Sequence, residues 1–384
     1  MTTFSQPRVA RGWLVFLLIA VVGLFYGWCT RVLDSSASPA SAPRADDDQP
    51  TADWAAFFAA GIFAVHPIMS STVDYVAARS ELLAAAGVLA SLTYARRAIV
   101  GKKRGAAILS ACFGVLAVGS SASAAALPLL VLAYDAWVLR DPRWPLRAAR
   151  VYAPATFAIV TAAAWHVTAS GLAAVPPRGP IVNLLTEARV VWRYLALLAV
   201  PRGQALVHDV HYATAFDPGA LLALGALIAG VVVAIRLRRA APLFAFGVIW
   251  FVGVLAPTSS FIPVRDAMAE PRRYLASAGL LLALAAVTWR AIASRRAVRV
   301  ALSVVMFVLA IVTYRRNVLW ANPVDLWEES IRRAPNAWQA HWGYGELLRE
   351  ISRCDRARPE YEAVLRLNPN HAGARAGLDG CARP

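Results

Sequence analysis

Charged side chains of the types that handle phosphate groups occur in short segments between long apolar runs. The basic members are arginines, whose planar guanidinium groups make forked hydrogen bonds to phosphate oxygens. The arginines are Arg79, Arg265, Arg272 and Arg273, and the carboxylates near them in sequence are Glu81, Asp266 and Glu270. Such a set could bind a phosphorylated ligand and orient it. The alternative is that the arginines anchor helix ends at a membrane interface and that the carboxylates form ion pairs that hold the loops together.

Three further groups could take part in chemistry. His66 precedes a proline at the end of an apolar run, where an imidazole can cap carbonyl groups or contact phosphate. The run Asp46, Asp47 and Asp48 could supply a general base, although a base must be held in place and an acidic linker is ordinarily only solvated. The segment 208–211 (HDVH) could bind a divalent metal, but two histidines and one aspartate in a loop are weak evidence for one. We therefore assign no metal site.

The elements that must position these residues are membrane-spanning helices. The chain has 384 residues, of which 59% are hydrophobic and 16% charged, a balance far from that of a soluble domain. Ten apolar stretches approach the roughly 17 to 25 residues that a helix needs to cross a bilayer. They are residues 13–29, 54–68, 82–95, 106–118, 124–138, 151–171, 219–235, 243–256, 275–289 and 300–312. We therefore predict an all-α, polytopic membrane helix bundle in contact with the lipid bilayer.

The net charge of +16 is concentrated in short links between these stretches, as expected of loops that stay in the cytoplasm. This placement favours membrane topology over nucleic-acid binding, so we expect no nucleic-acid partner. The four basic links are 96–104, 140–150, 236–239 and 290–299. With these links inside, the loops between them fall outside, provided that the charged stretch 184–200 lies along the outer interface without crossing.

The N-terminal segment gives a conflicting orientation. Arg8 and Arg11 would hold the start of the first span inside and place the linker 31–53 outside, whereas the link 96–104 requires 54–68 to run outward. Either one crossing is missing or one orientation signal is misleading. We expect the first, in a chain whose N-terminal part is shortened. The chain then divides into an anchor helix (1–30), a flexible acidic linker (31–53), a multi-span domain (54–320) and a helical domain outside the cytoplasm (321–384).

The C-terminal domain has the pattern of a soluble helical repeat. Residues 338–370 fit the register of a TPR, a helix-turn-helix repeat of about 34 residues; residues 326–335 resemble part of a preceding repeat, and 371–381 start a third. The small, apolar and helix-stop positions are Gly345, Leu348, Ala357, Tyr361 and Pro369. Because a repeat buries its apolar face only against a neighbour, we expect this domain to pack on the membrane domain or a partner chain.

The four cysteines show neither a CxxC pair nor metal-ligand spacing. We expect most of the four, which are Cys29, Cys112, Cys354 and Cys381, to be free or buried thiols. Cys354 and Cys381 share the C-terminal domain and could pair if that domain is extracytoplasmic.

Two segments and the domain order resemble a known family. Residues 63–67 (FAVHP) with 73–83 (VDYVAARSELL), and residues 266–274 (DAMAEPRRY) after 256–260 (APTSS), are similar to signatures of the transmembrane-and-TPR proteins, which belong to the GT-C class of membrane glycosyltransferases. A TPR region directly after the last span is the third point of resemblance. The likeness covers the chain from about residue 54 to its end.

The resemblance implies a GT-C-like bundle that transfers mannose from a polyprenyl-phosphate donor to protein Ser or Thr hydroxyls. It assigns catalysis to Asp46, Asp47 and Asp48, and it implies a peptide acceptor bound by the TPR region. The implied substrate-binding residues are His66, Arg79, Glu81, Asp266, Glu270, Arg272, Arg273 and Tyr274. The abundance of Arg over Lys suggests a GC-rich bacterial genome, so we expect the inner membrane, with the TPR region on the periplasmic side.

The chain also departs from the family pattern where chemistry is concerned. The long outer loop with its catalytic Asp-Asp pair is reduced to a short linker, a Lys-Glu pair ahead of Pro128 is replaced by Ser121 and Ala122, and a loop histidine is Pro271. A member with lost activity fits these departures as well as an active one does. The alternative function is a non-catalytic membrane scaffold whose TPR helices bind a partner protein.

Overall fold

The computed structural model describes residues 8–36, 49–75, 78–149, 156–157, 161, 179–259 and 267–381. Within these ranges the chain forms sixteen α-helical elements and no β-strand. The N-terminal helices are α1 (Arg8–Ser36), α2 (Gln49–Val65), α3 (Ser70–Asp74), α4 (Arg79–Gly101), α5 (Arg104–Ser120), α6 (Ala122–Leu139) and α7 (Trp144–Arg147). The later ones are α8 (Pro180–Ala199), α9 (Pro218–Leu237), α10 (Pro242–Leu255), α11 (Arg273–Ser294), α12 (Arg296–Ala321), α13 (Pro323–Arg333), α14 (Trp338–Glu350), α15 (Cys354–Leu367) and α16 (Ala372–Gly380). The expected all-α class is confirmed.

Four of the described helices are long and apolar enough to cross a membrane, namely α4, α6, α9 and α12, and a bent pair formed by α2 and the segment Pro67–Asp74 makes a fifth if it is one span. The sequence predicted ten stretches. The difference arises partly because some apolar helices are short, such as α10 with 14 residues, and because most of 151–171 lies outside the described residues. Four such helices are compatible with a membrane protein.

Local sequence sets where several helices begin. Asp217 and Asn322 each precede a proline in the first turn of a helix. Their side-chain oxygens accept hydrogen bonds from the backbone N–H of Ala220 (3.0 Å) and Val324 (3.2 Å), respectively. A polar N-cap followed by proline satisfies N–H groups that the helix itself leaves unpaired. These two caps fix the starts of α9 and α13.

One end of the bundle collects the basic links, and we call it the basic end. There Arg140 Nη2 donates to the carbonyl of Arg239 (2.6 Å), which brings two of the links together. The guanidinium of Arg299 lies 5.7 Å from the ring centre of Trp54, so α2 and α12 both start at this end. At the other end of the same two helices, the Thr313 hydroxyl donates to the carbonyl of Val65 (2.6 Å). We call that end the opposite end.

The ends of the helices that flank the acidic linker both lie at the basic end. Arg96 Nη2 donates to the carbonyl of Arg31 near the end of α1 (3.3 Å), and Trp54 near the start of α2 lies beside Arg299. The described residues on both sides of the linker therefore lie at the basic end, whereas residues 37–48 of the linker lie outside the described residues. With α1 ending at the basic end, the orientations of α1, α2 and α4 alternate without a missing crossing. The misleading signal is the pair Arg8 and Arg11.

Helix α8 is bonded along its length to elements of the opposite end. The Thr186 hydroxyl accepts from Ala213 N (3.0 Å), and Arg189 forms a 2.8 Å ion pair with Asp217 at the start of α9. Further along α8, the carbonyl of Leu198 is bonded to His66 (3.0 Å). This pattern is the one expected of a helix that lies across the end of the bundle.

Helices α13 to α16 form the C-terminal domain, in which glycines make room for aromatic rings. Tyr361 is fully buried, and a Cβ on Gly345 or Gly377 would lie 2.9 Å or 2.6 Å from its ring. Leu348 and Ala357 are also buried in this cluster. The small and apolar positions of the predicted repeat are thus core positions, because the helices can approach closely only where side chains are small.

The cysteine pairing differs from the expectation for two residues. Cys354 and Cys381 form a disulfide that joins the start of α15 to the end of α16, whereas Cys29 is a buried thiol and Cys112 an exposed one. The sequence could not settle the pairing because 26 intervening residues do not reveal a distance, but the two helices place the Cα atoms 5.4 Å apart. Disulfides persist in oxidising compartments, in agreement with the predicted placement of this domain outside the cytoplasm.

The alternation of helix ends predicts the sidedness of single cysteines. In a Cys112→Ser background, Asp53→Cys and Lys102→Cys should react with a membrane-impermeant maleimide from the same side of the membrane. Arg332→Cys, whose position is 73% exposed in the C-terminal domain, should react from the other side. Labelling of Asp53→Cys and Arg332→Cys from one common side would contradict the arrangement.

The disulfide should stabilise the C-terminal domain. Closing a loop with a sequence separation of 27 restricts the unfolded chain, so Cys354→Ser should lower the free energy of unfolding of this domain by about 3 kcal/mol. The measurement is the urea dependence of proteolysis within α13 to α16, made on the full chain in detergent. Cys112→Ser is the matched control and should leave the profile unchanged; equal profiles for the two variants would speak against the bond.

Candidate functional site

The candidate site lies at the opposite end of the bundle and is centred on Glu270. This carboxylate stands in a single helical turn just before α11 and is 4% exposed. Its Oε1 accepts hydrogen bonds from Ala205 N (3.1 Å) and from His208 Nε2 (3.0 Å), and its Oε2 lies 3.4 Å from Arg273 Nη2. Burial alone would raise the pKa of Glu270, but the positive charge of Arg273 and the bond from His208 outweigh it and hold this pKa below the usual value.

Arg273 is buried to 1% exposure at the start of α11. Its guanidinium lies 5.2 Å from the ring centre of Tyr194 on α8, a cation–π contact. The Tyr194 hydroxyl is itself fixed, because it donates to Ala269 O and accepts from Ala269 N, both at 3.0 Å. Arg273 Nε and Nη1 have no hydrogen-bond partner among the described residues. Two donors of a buried cation are therefore available to a ligand.

Three more arginines bring guanidinium groups to this end of the bundle. Arg79 begins α4, Arg272 ends the turn that holds Glu270, and Arg316 lies near the end of α12 with 8% exposure. Within the described part of the chain, these atoms are buried without a hydrogen-bond partner: Arg79 Nε, Arg272 Nη1, and Arg316 Nε and Nη2. Arg316 interacts electrostatically with Glu270 and with Asp74 of α3. Sequence reasoning missed Arg316, since the pair Arg315 and Arg316 looks like an interfacial anchor.

Glu81 forms a second, half-buried carboxylate centre that interacts electrostatically with Arg272. Its Oε1 and Oε2 accept hydrogen bonds from Ser121 (2.8 Å) and Ser123 (2.9 Å), respectively. The two serines stand in the turn that opens α6 and bond to each other as well (2.8 Å). Both oxygens of this carboxylate therefore already have a donor, and Glu81 positions the turn beside Arg272, with which it interacts electrostatically.

His66 has a structural role and is not directed at a ligand. Its Nδ1 accepts from the backbone N–H of Ile68 (3.2 Å), which leaves the proton on Nε2, and Nε2 donates to the carbonyl of Leu198 (3.0 Å). Both ring nitrogens are thus used to cap the turn after α2 and to tie it to α8. These bonds favour the capping alternative for His66, and its contact with substrate stays a prediction.

Tyr274 is fully buried with its ring centre 4.8 Å from that of Phe63. Its hydroxyl has no hydrogen-bond partner within the described ranges, so it stays a candidate for ligand binding. Asp46, Asp47, Asp48 and Asp266, together with Arg265, lie outside the described residues. Their predicted roles stay predictions.

The segment 208–211, considered above as a possible metal site, bonds other parts of the chain. His208 is bonded to Glu270, and Asp209 accepts from Asn336 Nδ2 of the C-terminal domain (3.2 Å). No group of three His, Cys, Asp or Glu side chains that could hold a metal ion occurs in the described part of the chain.

The loop 204–209 connects the site to the C-terminal domain. On one side it bonds Glu270 through Ala205 and His208. On the other, Leu206 N donates to the Ser330 hydroxyl (3.2 Å), and Arg333 Nη1 donates to the carbonyl of Gln204 (2.5 Å). Leu206 and Val207 also pack against the apolar cores of the C-terminal helices. The position of Glu270 therefore depends on how the C-terminal domain is docked.

The arrangement is suited to binding an anion. Four guanidinium groups meet at this end with the carboxylates Asp74, Glu81 and Glu270, and a fourth carboxylate, the buried Glu187 of α8, acts electrostatically on Tyr194 beside Arg273. A buried donor without a partner costs about 1 to 3 kcal/mol, and a phosphate group offers several acceptor oxygens that would satisfy such donors.

Comparison of the chain with protein-family models, with curated proteins and with solved structures gives no match. The functional argument therefore depends on the geometry of the site.

Removing the charge of Glu270 should destabilise the fold, because Arg273 would be left as an uncompensated buried cation. We expect Glu270→Gln to lower the free energy of unfolding by about 3 to 5 kcal/mol, measured by thermal and denaturant unfolding in detergent. Glu362→Gln, at an exposed position of α15, is the matched control and should change stability by about 0.5 kcal/mol or less. A double variant Glu270→Gln with Arg273→Met should recover part of the loss. If Glu270→Gln were as harmless as the control, the pair would not hold the site together.

Proposed function

We propose that this chain is a multi-pass membrane protein of the GT-C-like type that binds a polyprenyl-phosphate-linked sugar at the arginine cluster. The observation that carries the proposal is the set of buried guanidinium N–H groups on Arg79, Arg272, Arg273 and Arg316 without partners in the described residues. A phosphodiester placed among these groups would accept these hydrogen bonds.

The location of the cluster supports a lipid-linked ligand. Arg316 belongs to α12, a span candidate whose most apolar window is entirely unburied within the protein, yet its own side chain is 8% exposed. A guanidinium that turns inward near the end of a lipid-facing helix sits where a phosphate at the membrane boundary would arrive. The polyprenyl tail would then lie along the apolar helix surface.

The acceptor side of the proposal involves the C-terminal domain. We propose that α13 to α16 are TPR-like repeats that hold a protein segment whose Ser or Thr hydroxyl receives the sugar, mannose being the family's sugar. The loop 204–209 supports this because it contacts both the C-terminal helices and Glu270. An acceptor bound at the C-terminal domain would therefore lie close to the cluster.

One observation favours a non-catalytic alternative. Transfer requires a carboxylate to take the hydroxyl proton, and among the described residues both Glu81 and Glu270 already accept hydrogen bonds on their oxygens. Asp46, Asp47 and Asp48 are then the proposed source of the base. Without it, the chain would be a membrane scaffold that retains the lipid-phosphate site and binds a partner protein.

Binding and transfer should be measured separately. We expect wild-type protein in nanodiscs to bind radiolabelled polyprenyl-phosphate mannose, and Arg272→Ala or Arg316→Ala to weaken binding by about tenfold or more, because each loses a charge-assisted hydrogen bond. Arg332→Ala, which removes an exposed arginine of α13, is the control and should bind normally.

Transfer to a Ser- and Thr-containing peptide is then tested with the same preparations and with an Asp46, Asp47, Asp48 triple-alanine variant. Binding with transfer that the triple variant abolishes would support the enzyme. Binding without transfer would support the scaffold, and failure of the wild-type protein to bind the lipid would overturn the proposal.

A further inference from the structure

A groove at the basic end lies between the starts of α2 and α12, far along both helices from the arginine cluster. It is a shallow depression with a volume of about 460 Å³. The wall residues on which the following argument depends are Trp54, Arg296, Arg299, Val300, Val304 and Phe307. Nothing in the proposed function uses this groove.

The mouth of the groove is cationic and partly fixed. Arg299 lies 5.7 Å from the ring centre of Trp54 and donates from Nη1 to the carbonyl of Ile292 (3.1 Å). Arg296 is exposed in the first turn of α12, where the helix dipole adds further positive potential. A group with negative charge is therefore favoured at the mouth.

Below the mouth the groove continues as an apolar stripe. Positions 296, 300, 304 and 307 follow the helical spacing that keeps side chains on one face, so an arginine stands at the head of a row of apolar residues. The row is open to the surroundings, since Val300, Val304 and Phe307 are 55%, 56% and 67% exposed. An anionic head joined to an apolar tail matches this face along its length.

The same construction recurs in a second groove at the basic end. This groove, of about 220 Å³, lies between α1 and α4, and its wall includes Gly27, Arg31, Tyr94 and Arg97. Here Arg97 stacks on Tyr94 at 5.1 Å, as Arg299 does on Trp54. Arginine beside an aromatic ring over small or apolar residues is thus repeated on a different pair of helices.

We propose that the groove between α2 and α12 binds one anionic phospholipid of the basic-end leaflet, with the phosphate at Arg296 and Arg299 and an acyl chain along Val300, Val304 and Phe307. A free phosphate would leave the apolar stripe uncovered. A second copy of the chain would bring like charges face to face. The inference rests on the proposed membrane insertion and is independent of sugar transfer.

The test uses the full chain in nanodiscs of phosphatidylcholine that contain brominated phosphatidylglycerol. Bromine quenches nearby tryptophan fluorescence, and the Trp54 signal is obtained as the difference between wild type and Trp54→Phe. We expect stronger quenching by brominated phosphatidylglycerol than by brominated phosphatidylcholine. The double variant Arg296→Gln with Arg299→Gln should lower the preference for phosphatidylglycerol by about tenfold.

The matched control is Arg236→Gln with Arg238→Gln, which removes two charges from another link of the basic end. It should keep the preference at Trp54. An equal loss of phosphatidylglycerol preference in both double variants would indicate diffuse attraction to the charged surface and would overturn the site. Displacement of the lipid by inorganic phosphate alone would also overturn it. Failure of the chain to enter nanodiscs would refute membrane insertion, whereas loss of lipid preference with normal polyprenyl-phosphate binding would refute this site only.

Discussion

The buried pair of Glu270 and Arg273 is the interaction on which the arrangement of the opposite end depends. Two charges removed from water are tolerated only when they are paired and the remaining donors and acceptors are bonded. The carboxylate meets this requirement through Ala205 and His208, whereas the cation contacts the ring of Tyr194 and keeps two donors, Nε and Nη1, without a partner among the described residues. The pair therefore requires α8, α11 and the loop 204–209 to be in place together, and through that loop it also requires the C-terminal domain.

The two ends of the bundle use arginine in opposite ways. At the basic end the guanidiniums of Arg97 and Arg296 are exposed and can exchange contacts with water and lipid, so they add little to stability. At the opposite end Arg273 and Arg316 are buried, where an unsatisfied donor is costly. The sequence alone does not distinguish the exposed arginines from the buried ones. The distinction between an orientation signal and a binding group appears only when helix ends are placed relative to one another.

This contrast explains how much could be predicted from the sequence. The helical class, the basic links and most of the charged segment around Glu270 follow from apolar runs and local charge, which act over a few residues. The role of His208 was missed because it depends on a contact across 62 residues, and that of Arg316 because its neighbour Arg315 is exposed on the same helix turn. His66 was assigned to the ligand because its sequence position fits a cap and a phosphate contact equally well. The direction of α1 was wrong because two N-terminal arginines carry less weight than the packing of Arg31 against Arg96.

The hydrogen bonds made by Glu81 and Glu270 bear on whether the site binds a ligand or also catalyses a reaction. Glu270 is held by Arg273 and by backbone and imidazole donors, which stabilise its charged form and make it a poorer proton acceptor, and both oxygens of Glu81 accept hydrogen bonds from serine hydroxyls. The partners of Glu270 fix the turn that carries Arg272 and Arg273, and those of Glu81 fix the turn that opens α6. The described part of the site thus offers donors that could hold an anion. Because binding of an anion requires no general base, the arginine cluster would persist in a chain that had lost transfer, so the cluster supports the proposed lipid-phosphate ligand and gives no argument for turnover.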